Sequence, residues 1–280
     1  MQLTDEKGRK HRLVLAAGRS FHTHRGSIAH DDLIGVDEGS VVRASGGTPY
    51  IALRPLLADY TVSMARGATV VYPKDAAQIQ GHGGSYPGAR VLKAGAGSDA
   101  LSCWLLRAVG EDGHLVSYER RADFAAVARD NVEGYFGGPH PAWRLMVGDL
   151  PSSRPDEPEL TDFDRVVLDL LAPWEHVAAA ADWLVPGGLI CCYVATTTQL
   201  SRVTEALREH GGYTEPSAWE TMQREWHAEG LAVRPEHKMV GHTGFLVTAR
   251  KLARGVTAPP RRRRPAKGAY PPLGDGDPQG

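Results

Sequence analysis

From Arg90 onward the chain alternates short apolar runs with longer stretches in which apolar residues recur every three or four positions. Compact runs bounded by turn formers predict strands, and the wider spacing predicts amphipathic helices. The order that results is strand Arg90–Ala94, helix to Val109, strand His114–Tyr118, helix Asp123–Val132, strands Trp143–Val147 and Arg165–Leu168, helix Trp174–Leu184, strand Leu189–Val194 and helix Gln199–His210. This alternation predicts an α/β fold with a parallel sheet covered by helices on both faces. Two further β-like runs, Ala218–Glu220 and Thr243–Ala249, flank a polar stretch containing Pro235. No helical crossover pattern joins them, so they predict an antiparallel pair at one sheet edge.

The first sixty residues have a different texture. The β-leaning runs His11–Leu15 and Ser40–Arg43 are broken by Gly18, Gly26, Gly35 and Gly46-Gly47, which predicts a small β domain over 1–60. The stretch Arg54–Arg66 predicts a helix with Leu56, Leu57, Tyr60 and Met64 on one face, leading into a second domain over 61–253. Residues 254–280 are rich in Pro, Gly and Arg and have little to bury, so they predict a disordered basic tail. Truncation after Leu252 is expected to leave the melting temperature unchanged.

Composition narrows the class. A chain of 280 residues, 42% hydrophobic and 23% charged, suits one large globular domain and a small one. Its formal net charge of −1 gives no whole-protein attraction to a polyanion, so any such surface comes from local clustering, as at Lys7, Arg9, Lys10, His11 and Arg12 or at Arg261–Arg264. The opening MQLTDEKGRK lacks a signal-peptide core, and no stretch approaches the roughly 20 apolar residues of a membrane span, so a cytoplasmic protein is expected. Cys103, Cys191 and Cys192 all lie in apolar surroundings and are expected to be buried, reduced thiols.

In an open parallel sheet, ligands bind beyond the carboxyl ends of the strands. Gly95 and Gly97 follow the first strand, and small residues there let a ligand approach the backbone ahead of a helix start near Ser98. Glu119 ends the second strand, at the distance where a carboxylate can take both hydroxyls of a ribose. Asp149 follows the third and Asp169 the fourth. Glu119 taken alone also reads as a solvated turn acid; four strands that each deliver a small or acidic residue at the same end are what point to a nucleotide-like ligand.

The segments FHTHRGSIAHDDLIG, VYPKDAAQI, AGAGS with LVSYE, LDLLAPWE, YVATTTQL and GHTGFLVTARK together resemble the tRNA (adenine-58, N1) methyltransferases. The resemblance runs from about Gly18 to Leu252. It implies a Rossmann-like class I methyltransferase sheet with a small N-terminal β domain, S-adenosyl-L-methionine as cofactor, tRNA as partner and a homotetramer. Asp169 matches the catalytic aspartate, and Tyr193 and Tyr72 match positions around the target base. Taken alone, either tyrosine reads as readily as a core residue. Cofactor contacts are implied for Gln78, Gly95, Gly97, Ser98, Ala100, Leu101, Glu119, Arg120, Asp149, Leu150 and Asp169. Histidines 22, 24 and 30 suggest a metal by spacing, but no cysteine framework accompanies them and methyl transfer from a sulfonium needs none, so no metal is expected.

Two residues oppose the resemblance. Lys93 stands where relatives carry an acidic residue, and Asp99 where they carry glycine. Facing the cofactor, each would set like charge against like, at roughly 1 to 3 kcal/mol per site; exchanging them for Glu and Gly would then tighten binding. A Lys93–Asp99 ion pair is the other arrangement, nearly neutral as a unit but seated in the cofactor pocket. The alternative to an active enzyme is therefore a cofactor-impaired family member that serves as a tRNA-binding or scaffold subunit. A nicotinamide-dependent oxidoreductase would leave LDLLAPWE and VYPKD without a role.

Overall fold

A computed structural model describes residues 1–150 and 161–259. Near the N-terminus, strands β1 (Gln2–Thr4), β2 (Lys10–Arg12), β5 (Ser40–Arg43) and β6 (Pro49–Leu53) form an antiparallel sheet in the order β2-β1-β6-β5. Strands β3 (Ser20–Thr23) and β4 (Gly26–Ala29) pair as a separate hairpin. Inward positions alternate along β6, and Leu3, Ile28, Leu33, Ala44, Tyr50 and Ala52 make a small core. Helix α1 (Leu57–Ser63) is shorter than the apolar spacing suggests: Leu56 precedes it with an extended backbone, φ −61° and ψ 155°, and is exposed. The Tyr60 hydroxyl donates to the Asn131 carbonyl at 2.7 Å and ties α1 to the larger sheet's helices.

The larger sheet has seven strands in the order β12-β15-β11-β10-β7-β8-β9. These are β7 (Arg90–Ala94), β8 (His114–Glu119), β9 (Trp143–Val147), β10 (Phe163–Leu168), β11 (Leu184–Val194), β12 (Ser217–Trp219) and β15 (Phe245–Arg250). Strands β7 to β11 run parallel, while β15 is antiparallel to β11 and β12 is antiparallel to β15, so the final pair closes one edge as expected. Helices α2 (Pro73–Gly83), α3 (Ala100–Val109) and α4 (Ala122–Phe136) join α1 on one face; α5 (Val177–Trp183) and α6 (Thr197–His210) cover the other. Both faces of the inner strands β7, β8, β10 and β11 are therefore largely buried, which is why they read as apolar runs, while β9 at the edge is only half-buried.

Beyond the N-terminal strands, one helix and one hairpin were not legible. Helix α2 has Ile79 as its one large aliphatic residue, giving no clear apolar stripe, but Pro73 at its first turn and left-handed Gly84 after its last set its ends. The polar stretch with Pro235 is a long hairpin, β13 (Gln223–Glu229) and β14 (Ala232–Val240), whose pairing shifts register between Arg224 and Trp226. All three cysteines are free and buried, and burial pushes the Cys191 thiol up to about 12. No helix among the described residues is long and apolar enough to cross a membrane. The tail expectation for 254–280 falls largely outside the described residues, as does the arginine run 261–264.

Candidate active site

Strand register builds the site. Ala94 at the end of β7 is level with Leu168 of β10 on one side and Tyr118 of β8 on the other; Leu168 is level with Cys192 of β11, and Glu119 with Val147 of β9. The next positions, Tyr193, Asp169, Gly95 and Glu119, therefore stand in a row along one rim, which Asp149 continues beyond β9. Connections leave β7 toward β8 and return to β10 on its other side, so Gly95 and Asp169 meet at the topological switch point, where open α/β sheets bind ligands.

The turn after β7 is held by its own backbone. The N–H groups of Gly95 and Ala96 donate to the Tyr118 carbonyl at 3.0 and 3.2 Å, and the Asp169 N–H donates to Ala94 O at 2.9 Å. Gly95 has φ +83°, and a Cβ there would lie 1.9 Å from the Asp169 carbonyl oxygen, so no other residue fits without movement. The Gly97 N–H donates to Glu119 Oε2 at 2.8 Å while Arg121 N–H donates to Oε1 at 2.9 Å. Two backbone donors thus fix the Glu119 carboxylate and leave further lone pairs for hydroxyl donors. Ser98 is committed elsewhere: its Oγ donates to Ala68 O and accepts from Gly67 and Ala68 N–H. Ala100 and Leu101 turn their side chains into the core, so their main-chain N–H groups are what they offer a ligand. Arg120 and Asp149 form an exposed pair at 3.9 Å, and Leu150 packs at the rim of the core beside them. A turn with glycines at 95 and 97, a preoriented Glu119 carboxylate at the end of β8 and the helix start after Asp99 fit S-adenosylmethionine.

Asp169 is partly covered, and burial lifts its carboxyl to about 6, with Lys93 pulling it down and Asp99 pushing it up. Tyr193 reaches from β11 toward α2. Its hydroxyl donates to Asp75 Oδ2 at 3.2 Å, and Thr243 Oγ1 donates to the same oxygen at 2.5 Å. Lys74 Nζ donates to Asp75 Oδ1 at 2.7 Å and to Thr221 O at 2.5 Å. A Cβ on Gly244 would lie 2.4 Å from Tyr193 Cζ, so the ring is held against the chain as well as at its hydroxyl. Burial first, and the Asp75 charge second, raise the Tyr193 phenol well above its ordinary range. Tyr72 and Gln78 are half-buried on α2 and its approach, and the Tyr72 carbonyl accepts the N–H groups of Asp75 and Ala76. The roles of Asp75 and Thr243 were not read from sequence, since 168 positions separate them.

Lys93 and Asp99 pair with each other. Lys93 Nζ lies 2.7 Å from Asp99 Oδ1, with side chains 1% and 0% exposed. The ammonium also donates to Gly95 O at 2.8 Å and Ala96 O at 3.4 Å. Ser102 Oγ donates to Asp99 Oδ1, sits 3.1 Å from Ser117 Oγ, and Trp143 Nε1 donates to Ser117 Oγ at 3.0 Å. The expectation of two charges repelling a ligand is corrected by this geometry: each is neutralised by the other beneath the turn. In the N-terminal region, Arg9 is bound to Asp5, Lys10 to Asp59, and Arg12 to Ser63 O, so much of that basic cluster is engaged within the chain. The buried His30 accepts the Ala16 N–H at Nδ1.

Residues 50–234 match the family model described as tRNA methyltransferase complex GCD14 subunit, and residues 1–42 match the TrmI-like N-terminal model. The chain is 36% identical over 251 residues to the tRNA (adenine(58)-N(1))-methyltransferase TrmI of Thermus thermophilus, covering 89% of this chain and 95% of that protein. It is 30% identical over 269 residues to the tRNA (adenine(57)-N(1)/adenine(58)-N(1))-methyltransferase TrmI of Methanocaldococcus jannaschii, covering 89% and 93%. Among solved structures it is similar to a SAM-dependent O-methyltransferase from Thermotoga maritima, with TM-score 0.83, 30% identity and coverage of 90% and 92%.

Proposed function

The chain belongs to the tRNA methyltransferase GCD14 family, and from that premise we propose that it transfers a methyl group from S-adenosylmethionine to N1 of adenine 58 in tRNA. The observation that carries this reading is Asp169 at the switch point, level with Gly95 of the turn and Tyr193 of β11. S-adenosylmethionine, when bound, supplies a methyl group on a cationic sulfur. Adenine N1 already holds an in-plane lone pair, so no base is required to create a nucleophile; the demand is to stabilise the cationic ring that methylation leaves. A carboxylate accepting from the exocyclic amine orients the base and opposes that growing charge. Asp169 has this role, Tyr193 and Tyr72 border the base, and Glu119 takes the ribose hydroxyls. Gln78 and the main chain of Gly95 to Leu101 line the methionine side, while Arg120, Asp149 and Leu150 border the adenine side.

Incubation with tRNA and S-adenosylmethionine tests this directly. A primer-extension stop at position 58 in the A58 transcript, absent from its A58G variant, is the expected result, because N1 methylation blocks the pairing edge. The similarity to the Thermotoga maritima O-methyltransferase raises an oxygen acceptor instead. Methyl incorporation without a stop would favour that chemistry and sink the N1 assignment. The scaffold alternative has no support in a site whose turn is intact and whose two anomalous charges neutralise each other.

Assembly as a homotetramer is part of the same proposal. The hairpin β13–β14 supports it by exposing Trp226, Leu231, Val233, Met239 and Val240, more apolar surface than a solitary hairpin needs. Light scattering is expected to give about four times the 30.2 kDa chain mass, and Trp226→Glu with Leu231→Glu is expected to reduce it. A parent that runs as a monomer overturns this assignment.

A further inference from the structure

Lys93 is among the largest fully buried side chains of the molecule, and a buried ammonium persists only with its partners in place. Its partners are all within six residues: two carbonyls of the glycine turn and the Asp99 carboxylate. Asp99 in turn occupies a left-handed conformation, φ 60° and ψ 30°, immediately before α3, and its N–H donates to Ala96 O at 2.7 Å. That conformation turns the carboxylate back under the turn, toward Lys93 and Ser102. Among the described residues, the second carboxylate oxygen, Oδ2, is buried without a hydrogen-bond partner, and Lys93 is the cation paired with the Asp99 charge.

The arrangement does two things that an apolar pair could not. By accepting from Lys93 Nζ, the carbonyls of Gly95 and Ala96 are turned beneath the rim, which fixes the peptide planes of the turn that carries Gly97 N–H to Glu119. The two charges also act on Asp169 with opposite sign. We propose that Lys93 and Asp99 work as one positioning pair for methyl transfer, clamping the glycine turn in its cofactor-binding shape. The inference rests on the reading of the site as an S-adenosylmethionine site. It also reverses the meaning of the two residues: together they are a neutral part of the site's frame, and only when separated do they damage it.

Lys93 of β7 and Asp99 of the turn before α3 act on the Asp169 carboxyl with opposite sign, and the Tyr193 hydroxyl on β11 is held by Asp75 of α2. Removing Lys93 leaves Asp99 to push the Asp169 carboxyl up. Removing the Asp99 charge leaves Lys93 to pull it down. A residue that only held the fold together would not move the two in opposite directions.

The test is a cycle of Lys93→Met, Asp99→Asn and the double variant, chosen because Met keeps the length of Lys and Asn tolerates a left-handed backbone. In urea, each single variant is expected to lower the midpoint by about 1 to 2 M, since one buried charge is stranded, and the double variant to lose less than the two singles together. Calorimetry with S-adenosylmethionine is expected to show about ten-fold weaker binding for each single variant and recovery toward the parent in the double. The acid limb of the single-turnover methylation rate is expected to move up in Lys93→Met and down in Asp99→Asn.

Additive effects in urea and in binding, or limbs that stay together, would overturn the positioning pair while leaving the functional reading in place. So would a Lys93→Glu/Asp99→Gly variant that binds S-adenosylmethionine more than about ten-fold tighter than the parent, because the native pair would then be impairing the site. A folded parent that binds no S-adenosylmethionine overturns the functional reading, and this inference with it.

Discussion

Replacing Asp169 with alanine is expected to lower methyl transfer by about 10² to 10³, the cost of deleting one preorganised electrostatic group, with little change in cofactor affinity or melting temperature. The side chain lies on the rim, while the residue's structural contribution comes from its main chain, through N–H to Ala94 O and the carbonyl that abuts Gly95. Alanine keeps both. The carboxylate also predicts the pH dependence of the parent. Burial holds the Asp169 carboxyl at about 6, so lowering the pH through that value protonates the acceptor and the rate falls. In Asp169→Asn that limb is expected to disappear, because the amide does not titrate in this range. Single-turnover rates across pH 5 to 8 measure both effects, and near-normal turnover in Asp169→Ala would remove Asp169 from the assigned role.

A second large effect is expected at Gly95. Gly95→Ala places a Cβ 1.9 Å from the Asp169 carbonyl oxygen on a backbone with φ +83°, so the turn and the strand end carrying Asp169 must separate. Left-handed strain and overpacking together cost about 2 to 5 kcal/mol of stability. The cofactor loses more than stability alone would predict, since the displaced turn carries the donors and the approach surface; about 100-fold weaker S-adenosylmethionine binding is expected. Gly211→Ala is the control. Gly211 has φ +71° at the end of α6, yet its Cβ would meet nothing within 4 Å, so strain of about 1 kcal/mol is expected with cofactor affinity unchanged. Equal binding losses in the two variants would mean that close approach at Gly95 is not what the cofactor site depends on.

How much of this could be read in advance differs from element to element. Strands β7 and β9 match their predicted spans, and β8 extends one residue further; β7 and β8 are buried on both faces, so a compact apolar run is their local signature, and β9 at the edge keeps a short run of its own. Helices α3 and α6 keep their apolar spacing on one side and were equally visible. Helix α2 was not: its burial depends on Ala76, Ile79 and a buried Lys74–Asp75 pair whose partners come from Thr221, Tyr193 and Thr243. Charged residues inside a helix look solvated until the chain segments that answer them are in place. The β13–β14 hairpin was hidden for the converse reason, since both its faces lack the alternation that a sheet packed on a core imposes.

For the site, the sequence by itself determined the inventory: glycines after β7, carboxylates at the ends of β8 and β10, and the segments of a methyltransferase family. These are local facts, because a strand end and the turn that follows it are neighbours along the chain. Only the tertiary structure decided that β10 lies against β7, bringing Asp169 to Gly95 across 74 positions of sequence. It also decided the meaning of Lys93 and Asp99. The sequence shows two charges six residues apart; whether they face a ligand or each other depends on the left-handed backbone at Asp99, which turns its carboxylate under the turn and onto Lys93. Charge is a property of the residue, but its partner is set by the direction the side chain takes, and that direction is fixed when the turn is packed between β7, β8 and α3.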